Sequence, residues 1–259
     1  MSVTKARAFR WPVVFVILFL ISAAAHAHRL EPISTEFAQP LEPGQTNLEI
    51  SYEYEREPGG EGTEHVVPEF ELERALTKRF QFQMGIPLVR DKDGDEPATL
   101  SGGHLELGLR ALLAGGGKRS WVLSFQPSVE LPTGNRRLFG NGTEVDAALH
   151  LDKFFGRSLR WYTNVGLASA VSGEEAGERF LHYSSAVVIP LTRRWHLAPE
   201  IVGGRRFADD RTLLAAQPEV IYSLNDHLEL KFGMPLGLTD ATPRLGVRSQ
   251  IAIIWGGKR

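Results

Sequence analysis

The sequence predicts an all-β protein, an antiparallel transmembrane β-barrel of about twelve strands that follows a cleaved signal peptide. Three observations support this fold class: an export signal, a long series of segments with two-residue periodicity, and connections that alternate between long and short. The 259 residues include no cysteine, with 29 basic and 31 acidic side chains. Because there is no basic excess, we do not expect a nucleic-acid partner.

Residues 1–27 have the three parts of an export signal. Lys5, Arg7 and Arg10 precede an apolar run at 11–21, and the stretch ends in an Ala-x-Ala cleavage site at 25–27. The run is short for a helix that needs roughly 20 residues to span a bilayer. We therefore predict cleavage after residue 27 and export of the mature chain.

Alternation of apolar and polar residues predicts the strands. In 46–56, Leu48, Ile50 and Tyr52 alternate with polar residues such as Glu49 and Glu53. The pattern recurs at 66–73, 80–88, 105–111, 121–130 and 144–152, and less regularly at 159–171, 180–191, 195–206, 213–224, 228–236 and 244–255. A soluble β-sandwich also alternates in this way. Long, evenly spaced segments with aromatic residues near their ends favour the barrel, which we assign to residues 46–259.

The connections supply a separate indication of the barrel, since outer-membrane barrels have short periplasmic turns and longer extracellular loops. Longer connections begin near Glu57, Arg90, Pro132, Ser172, Phe207 and Gly237, and shorter ones near Thr77, Ala114, Lys153, Thr192 and Asn225. A periplasmic N-terminus places every longer connection outside. The pattern therefore predicts the outer membrane of a Gram-negative bacterium.

If the apolar faces point to lipid, the charged faces line the lumen. The candidate lumen residues are Glu49, Glu53, Glu69, Glu71, Glu106, Arg110, Glu130, Glu144, Asp146, His150, Glu229, Lys231 and Arg248. Closure of the barrel brings Glu49 and Glu53 near Arg248, with Lys231 one strand further on. These groups either satisfy one another in a polar interior or guide a solute, with the acids disfavouring anions.

The segment 28–45 contains Pro32, Pro40 and Pro43 and precedes the first strand. It can fold into the lumen as a plug or remain in the periplasm, and the prediction is the periplasm. Twelve strands lie between small filled barrels and wide porins of roughly 16 strands. A narrow or plugged path is therefore expected rather than an open pore.

One stretch resembles a known family. Residues 102–134 read GGHLELGLRALLAGGGKRSWVLSFQPSVELPTG, an alternating strand, a glycine-rich turn, a second strand and a closing Pro-Thr-Gly. This resembles the signature of the bacterial outer-membrane transporters labelled MetA-pathway of phenol degradation, with His104 where that family usually has Asp. The resemblance implies an outer-membrane barrel that moves small hydrophobic or aromatic compounds. Outer-membrane lipids, a small-molecule solute and the barrel assembly machinery are the partners expected.

The functional hypothesis is a passive route for small solutes, without enzymatic activity. A closed structural, adhesive or receptor barrel that acts through its loops is the alternative. His182 and Ser184 lie two apart on one strand, as in a lipid hydrolase, but their parity places them in the lumen. The acidic loop 90–96 lacks the glycine and glutamate positions of a calcium loop. We expect no metal and no cofactor.

Overall fold

The computed structural model describes residues 30–56, 64–92, 99–116, 120–136, 140–156, 159–242 and 245–257. Its strands, numbered by passage across the barrel, are β1 (Gln45–Arg56), β2 (Glu64–Ala75), β3 (Phe80–Lys92), β4 (Thr99–Gly102 and Leu105–Gly115), β5 (Trp121–Leu131), β6 (Glu144–Phe155), β7 (Leu159–Ala170), β8 (Arg179–Pro190), β9 (Trp195–Leu197 and Glu200–Arg206), β10 (Arg211–Gln217 and Glu219–Asn225), β11 (Leu228–Gly233 and Leu236–Gly237) and β12 (Leu245–Gly256). The predicted signal peptide and most of the acidic loop lie outside the described residues.

The twelve strands close into one antiparallel barrel. Each strand pairs with its neighbours in the chain, and β1 pairs with β12 from Gln45 opposite Gly256 to Arg56 opposite Leu245. A sandwich would leave two sheets with free edges, whereas closure leaves none. The barrel fold predicted from periodicity is confirmed. Among the described residues, no helix is long and apolar enough to cross a membrane.

Exposure in this barrel is the reverse of that in a soluble domain. Large apolar side chains such as Phe70, Leu149 and Ile251 are exposed on the outer face. Polar side chains such as Gln81, Asp152 and Glu219 are buried on the inner face. A surface belt of exposed apolar residues requires an apolar environment, and a hydrocarbon bilayer supplies it.

The two ends of the barrel differ in their connections. The strand ends that flank 76–79, 116–120, 156–158, 191–194 and 226–227 lie at one end of the barrel, here called the short-turn end. The strand ends at the opposite, long-loop end flank 57–63, 93–98, 132–143, 171–178, 207–210 and 238–244, and of these intervals only 207–210 is as short as those at the short-turn end. The alternation expected from the sequence is therefore present at all but one connection.

Prolines interrupt three adjacent strands. The registers Leu197 to Val220 and Glu200 to Gln217 place Pro199 directly opposite Pro218 across β9 and β10. Proline has no N–H to donate, so the hydrogen-bond ladder breaks at this pair. Pro235 breaks β11 beside them. The register continues across each break, and the barrel stays closed.

Residues 30–44, here called the plug, lie inside the barrel. Leu30, Phe37, Ala38 and Leu41 are buried, and backbone amides of the plug bond to side chains of the inner wall. The sequence predicts a periplasmic location for this segment, whereas the structure places its described part in the lumen. The physical reason is that the segment forms no strand or helix of its own, so inner-wall acceptors satisfy its N–H groups.

The turn between β4 and β5 requires glycine at position 115. Gly115 has a φ of +89°, and a Cβ there would lie 2.2 Å from the Trp121 carbonyl oxygen. We expect Gly115→Ala to lower the free energy of unfolding by more than the about 1 to 3 kcal/mol of a left-handed backbone alone. Urea unfolding, followed by the gel shift of unboiled against boiled samples, measures this.

Gly140→Ala is the matched control for that substitution. Gly140 also has a positive φ, +78°, but a Cβ there would meet nothing within 4 Å. Its alanine variant carries the backbone cost without the clash. Equal losses of stability in the two variants would show that the close approach to Trp121 is unimportant.

Candidate functional site: the lumen and its plug

The plug is held mainly through its backbone. The amide of Ile33 donates to Glu219 at 3.0 Å, those of Ala38 and Gln39 to the two oxygens of Asp152 at 2.9 and 3.2 Å, and that of Leu41 to Gln81 at 2.8 Å. The Leu30 amide donates to Glu229 at 3.4 Å. Hydrogen bonds to charged acceptors are stronger than neutral ones. Acids of the inner wall therefore act as anchors for a peptide that has no regular secondary structure.

Plug side chains add one ion pair, a hydrogen bond to an arginine of the wall and a small apolar cluster. Glu36 pairs with Arg110, whose side chain is fully buried and also lies 3.5 Å from Glu73. The Ser34 hydroxyl accepts a hydrogen bond from Arg248 at 2.8 Å. Phe37 packs edge-on against Tyr162 with ring centroids 4.8 Å apart. The cluster comprises Leu30, Phe37, Tyr162, Val188, Ala198 and Ile221.

Five of the sequence-predicted lumen residues meet where β12 closes on β1. Glu49, Glu53, Glu69, Glu71 and Arg248 line a cavity of about 180 Å³, here called the seam cavity. Arg248 lies opposite Glu53, and its Nε donates to that carboxylate at 2.6 Å. This is the juxtaposition that barrel closure predicts.

Lys231 lies deeper, 3.5 Å from Glu49. Carboxylate oxygens of Glu31, Glu49 and Glu73 approach within 4.8 Å of one another beside it. The side-chain amide of Asn47 donates to the two wall carboxylates, Glu49 and Glu73, each at 2.9 Å. The protein's own cation and donors thus compensate this acidic group.

Five other predicted residues lie together on the opposite wall. Glu106, Glu130, Glu144, Asp146 and His150 line a cavity of about 250 Å³ toward the long-loop end, here called the acidic cavity. Glu106 is directly opposite Glu130, and Glu130 is directly opposite Glu144. No described lysine or arginine lines this cavity. Its negative charge is therefore concentrated on β4, β5 and β6.

A third cavity, of about 320 Å³, has a different lining and is here called the apolar cavity. The inner faces of β8 to β11 supply Phe180, Val202, Leu213, Ala215 and Pro235 to it. Phe180, His182, Ser184 and the plug residue Ser34 line both this cavity and the acidic one. The two cavities are therefore adjacent.

The remaining predicted residues, Arg110 and Glu229, contact the plug rather than a cavity. Two further plug anchors, Gln81 and Glu200, were not among the lumen residues predicted from the sequence. Their inward parity is readable from the alternation. Their role as anchors cannot be read from the sequence, because it depends on the plug, which has no periodicity of its own.

The residues considered for hydrolysis do face the lumen. His182 Nε2 lies 2.9 Å from Asp146 Oδ1, and Ser184 is buried two residues further along β8. In the described part of the chain no hydrogen bond joins the Ser184 hydroxyl to His182. A nucleophile needs such contact with its base. The structure therefore shows His182 bonded to Asp146, without the histidine–serine contact of such a hydrolase.

The stretch 102–134 forms one hairpin, β4 and β5, whose two ends meet. The Gly134 amide donates to His104 Nδ1 at 3.1 Å, and the Leu105 amide donates to the Thr133 hydroxyl at 2.9 Å. The Asn135 amide donates to the Gly102 carbonyl at 3.1 Å. The first and last residues of the motif therefore fasten the long-loop end of this hairpin, and His104 serves as an acceptor there.

Solved structures similar to this chain are outer-membrane proteins. The COG4313 outer membrane channel from Pseudomonas putida F1 has a TM-score of 0.68 at 15% identity, over 87% of this chain and 100% of that one. The NanC porin has a TM-score of 0.55 at 8% identity, over 82% and 100% of the two chains. The KdgM porin, solved in complex with disordered oligogalacturonate, has a TM-score of 0.55 at 7% identity, over 81% and 99%.

No protein-family model matches the sequence, and no curated protein matches it. The structural similarities at these low identities show the fold: a closed twelve-stranded antiparallel barrel of the outer-membrane channel type.

Proposed function

We propose that this chain is an outer-membrane channel for small solutes, with the short-turn end in the periplasm. The similar structures include an outer membrane channel and porins, and the apolar outer face suits a lipid environment. Export by the signal at 1–27 and insertion by the barrel assembly machinery belong to the same proposal. The proposal also includes a lining role in the lumen for the charged residues that were predicted from the sequence.

The proposal rests mainly on one observation, that the plug divides the lumen into three cavities. Ser34 of the plug lines all three cavities, so the plug is their common boundary. The plug's anchors, such as Asp152 and Gln81, lie toward the short-turn end of their strands. A solute therefore enters cavities from the long-loop end and continues only when the plug shifts.

The apolar cavity supports a small hydrophobic or aromatic solute, the class that the resembled family implies. Phe180, Val202 and Leu213 form an apolar surface on this cavity, next to the acidic cavity. Exposed apolar groups in a cavity gain from contact with an apolar ligand. A phenyl-bearing solute is therefore proposed as the cargo.

Liposome swelling tests the channel with an impermeant aromatic solute, phenyl glucoside. We expect the wild-type barrel to admit it faster than protein-free vesicles do. Ala215→Trp, which fills the apolar cavity, should reduce the rate several-fold. Ala216→Trp is the control, because the next residue faces outward, where tryptophan is compatible with lipid. Swelling no faster than in empty vesicles would favour the closed structural barrel.

A further inference from the structure

We propose that the acidic and apolar cavities together form one binding site for an organic cation, a protonated amine on an apolar or aromatic body. This inference rests on the proposed channel function and specifies the charge of its solute. It follows from the composition of the two walls and from the distance between them.

The acidic wall carries more like charge than its surroundings compensate. On three adjacent strands, Glu130 lies directly opposite Glu106 on one side and directly opposite Glu144 on the other. Like charges in such positions repel. Within the described ranges none of the three has an ion-pair partner, whereas Glu53 pairs with Arg248 and Glu36 with Arg110. A cation from solution would relieve this repulsion.

His150 is a second, separate indication that a molecule occupies the acidic cavity. Its side chain is 2% exposed and lines the cavity, and its Nε2 has no hydrogen-bond partner among the described residues. Buried polar atoms in native proteins are nearly always hydrogen-bonded, if only to water. A bound solute with its hydration would supply the missing contact.

The apolar wall selects an organic cation over a simple ion. Phe180 lies beside His182 with nearly parallel rings, 6.3 Å between centroids and 17° between planes. Leu213 and Val202 extend this surface. An aromatic face attracts a nearby cation and also stacks on an aromatic body. Water alone would leave these apolar side chains unfavourably hydrated.

The distance between the walls matches a short alkyl arm. Phe180 is opposite Ala168, and Ala168 is opposite Asp146. Two strand spacings therefore separate Phe180 from Asp146, roughly 10 Å between their backbones. With the small Ala168 between them, the space above it is open to a ligand. A ring on Phe180 can then extend an ethylammonium arm toward Glu144 and Asp146, the two carboxylates of the acidic cavity on β6.

Three compounds with the same phenyl ring and two-carbon arm test the inference: 2-phenylethylamine, 2-phenylethanol and 3-phenylpropionate. Calorimetry on the purified barrel measures their binding. We expect the amine to bind at least about tenfold more tightly than the alcohol, and the anion more weakly still. The advantage of the amine should shrink at high salt.

A triple variant identifies the groups responsible. Glu106→Gln, Glu130→Gln and Glu144→Gln together should bring amine binding to the level of the alcohol, while alcohol binding stays unchanged. Removing mutually repelling charges leaves folding intact, and the gel shift verifies this. Glu174→Gln, on the exposed loop 171–178, removes the same charge outside the cavity and should change nothing. Leu213→Ser should weaken binding of all three compounds.

The outcomes separate this inference from the channel proposal. Equal binding of amine and alcohol to the wild type would overturn the inference, as would an amine preference that survives the triple substitution. If 2-phenylethylamine binds no more tightly than ammonium ion, the apolar cavity does not contribute to binding, and that part of the inference is overturned. Failure of phenyl glucoside swelling, with amine preference intact, counts against the channel and leaves the binding site standing.

Discussion

Deletion of residues 30–40 is expected to raise single-channel conductance in planar bilayers by about tenfold, toward that of an unobstructed twelve-strand lumen. The deleted residues include Ser34, which borders all three cavities, and Phe37, which packs on Tyr162. After this deletion only residues 41–44 of the described plug remain in the short-turn half of the lumen. Conductance equal to that of the wild type would place the obstruction elsewhere.

The absence of cysteine allows a direct test of where the plug lies. Ala38 is 0% exposed, so a thiol from Ala38→Cys should resist a water-soluble thiol reagent in the native barrel. A thiol from Glu174→Cys, on the exposed loop, should react at once. Rapid labelling at both positions would mean that the plug leaves the lumen readily.

Arg110→Met should be among the most destabilising single substitutions, with an expected loss of about 3–5 kcal/mol in the free energy of unfolding. Arg110 is fully buried between Glu36 and Glu73, and its Nε donates to Gln126 at 2.7 Å. Methionine fills similar space but leaves the Glu73 carboxylate buried without its guanidinium. Urea unfolding of the purified barrel measures the loss.

Two comparisons test the cause of that loss. Adding Glu73→Gln to Arg110→Met should recover part of the stability, because the uncompensated charge is gone. Arg211→Met removes an exposed arginine whose partner is Asp209 at 3.1 Å, and should have almost no effect. If the double variant is no more stable than Arg110→Met alone, packing rather than charge explains the loss. If Arg110→Met also releases the plug, a thiol introduced by Ala38→Cys should become reactive toward the water-soluble reagent.

Periodicity was sufficient to predict the barrel, because a closed sheet with lipid outside and polar groups inside imposes alternation on every strand. The third strand, predicted at 80–88, is observed at Phe80–Lys92. The tenth, predicted at 213–224, is observed in two parts that Pro218 separates. The contact of Glu53 with Arg248 was also foreseeable, since closure fixes the neighbours of the first strand.

The plug and the apolar wall were not foreseeable from the same pattern. Residues 30–44 form neither a strand nor a helix and show no alternation, and their anchors are dispersed over β3, β6, β9, β10 and β11. The apolar wall does have a signal in the sequence, a weakened alternation of apolar and polar residues. Val202 and Leu213 point inward, so both faces of β9 and β10 contain apolar residues and the alternation is weak there. Irregular periodicity in the second half of the sequence was thus a sign of the cavity.

Attachment of the plug through its peptide groups has a consequence for variation among related chains. Five of its amides donate to side chains of the wall, and any residue except proline supplies such an amide. Selection therefore acts on the acceptors of the wall and on the length of the plug more than on its residue types. The positions held only by their amides can therefore vary widely, whereas Glu36, whose side chain pairs with the buried Arg110, is constrained by its charge.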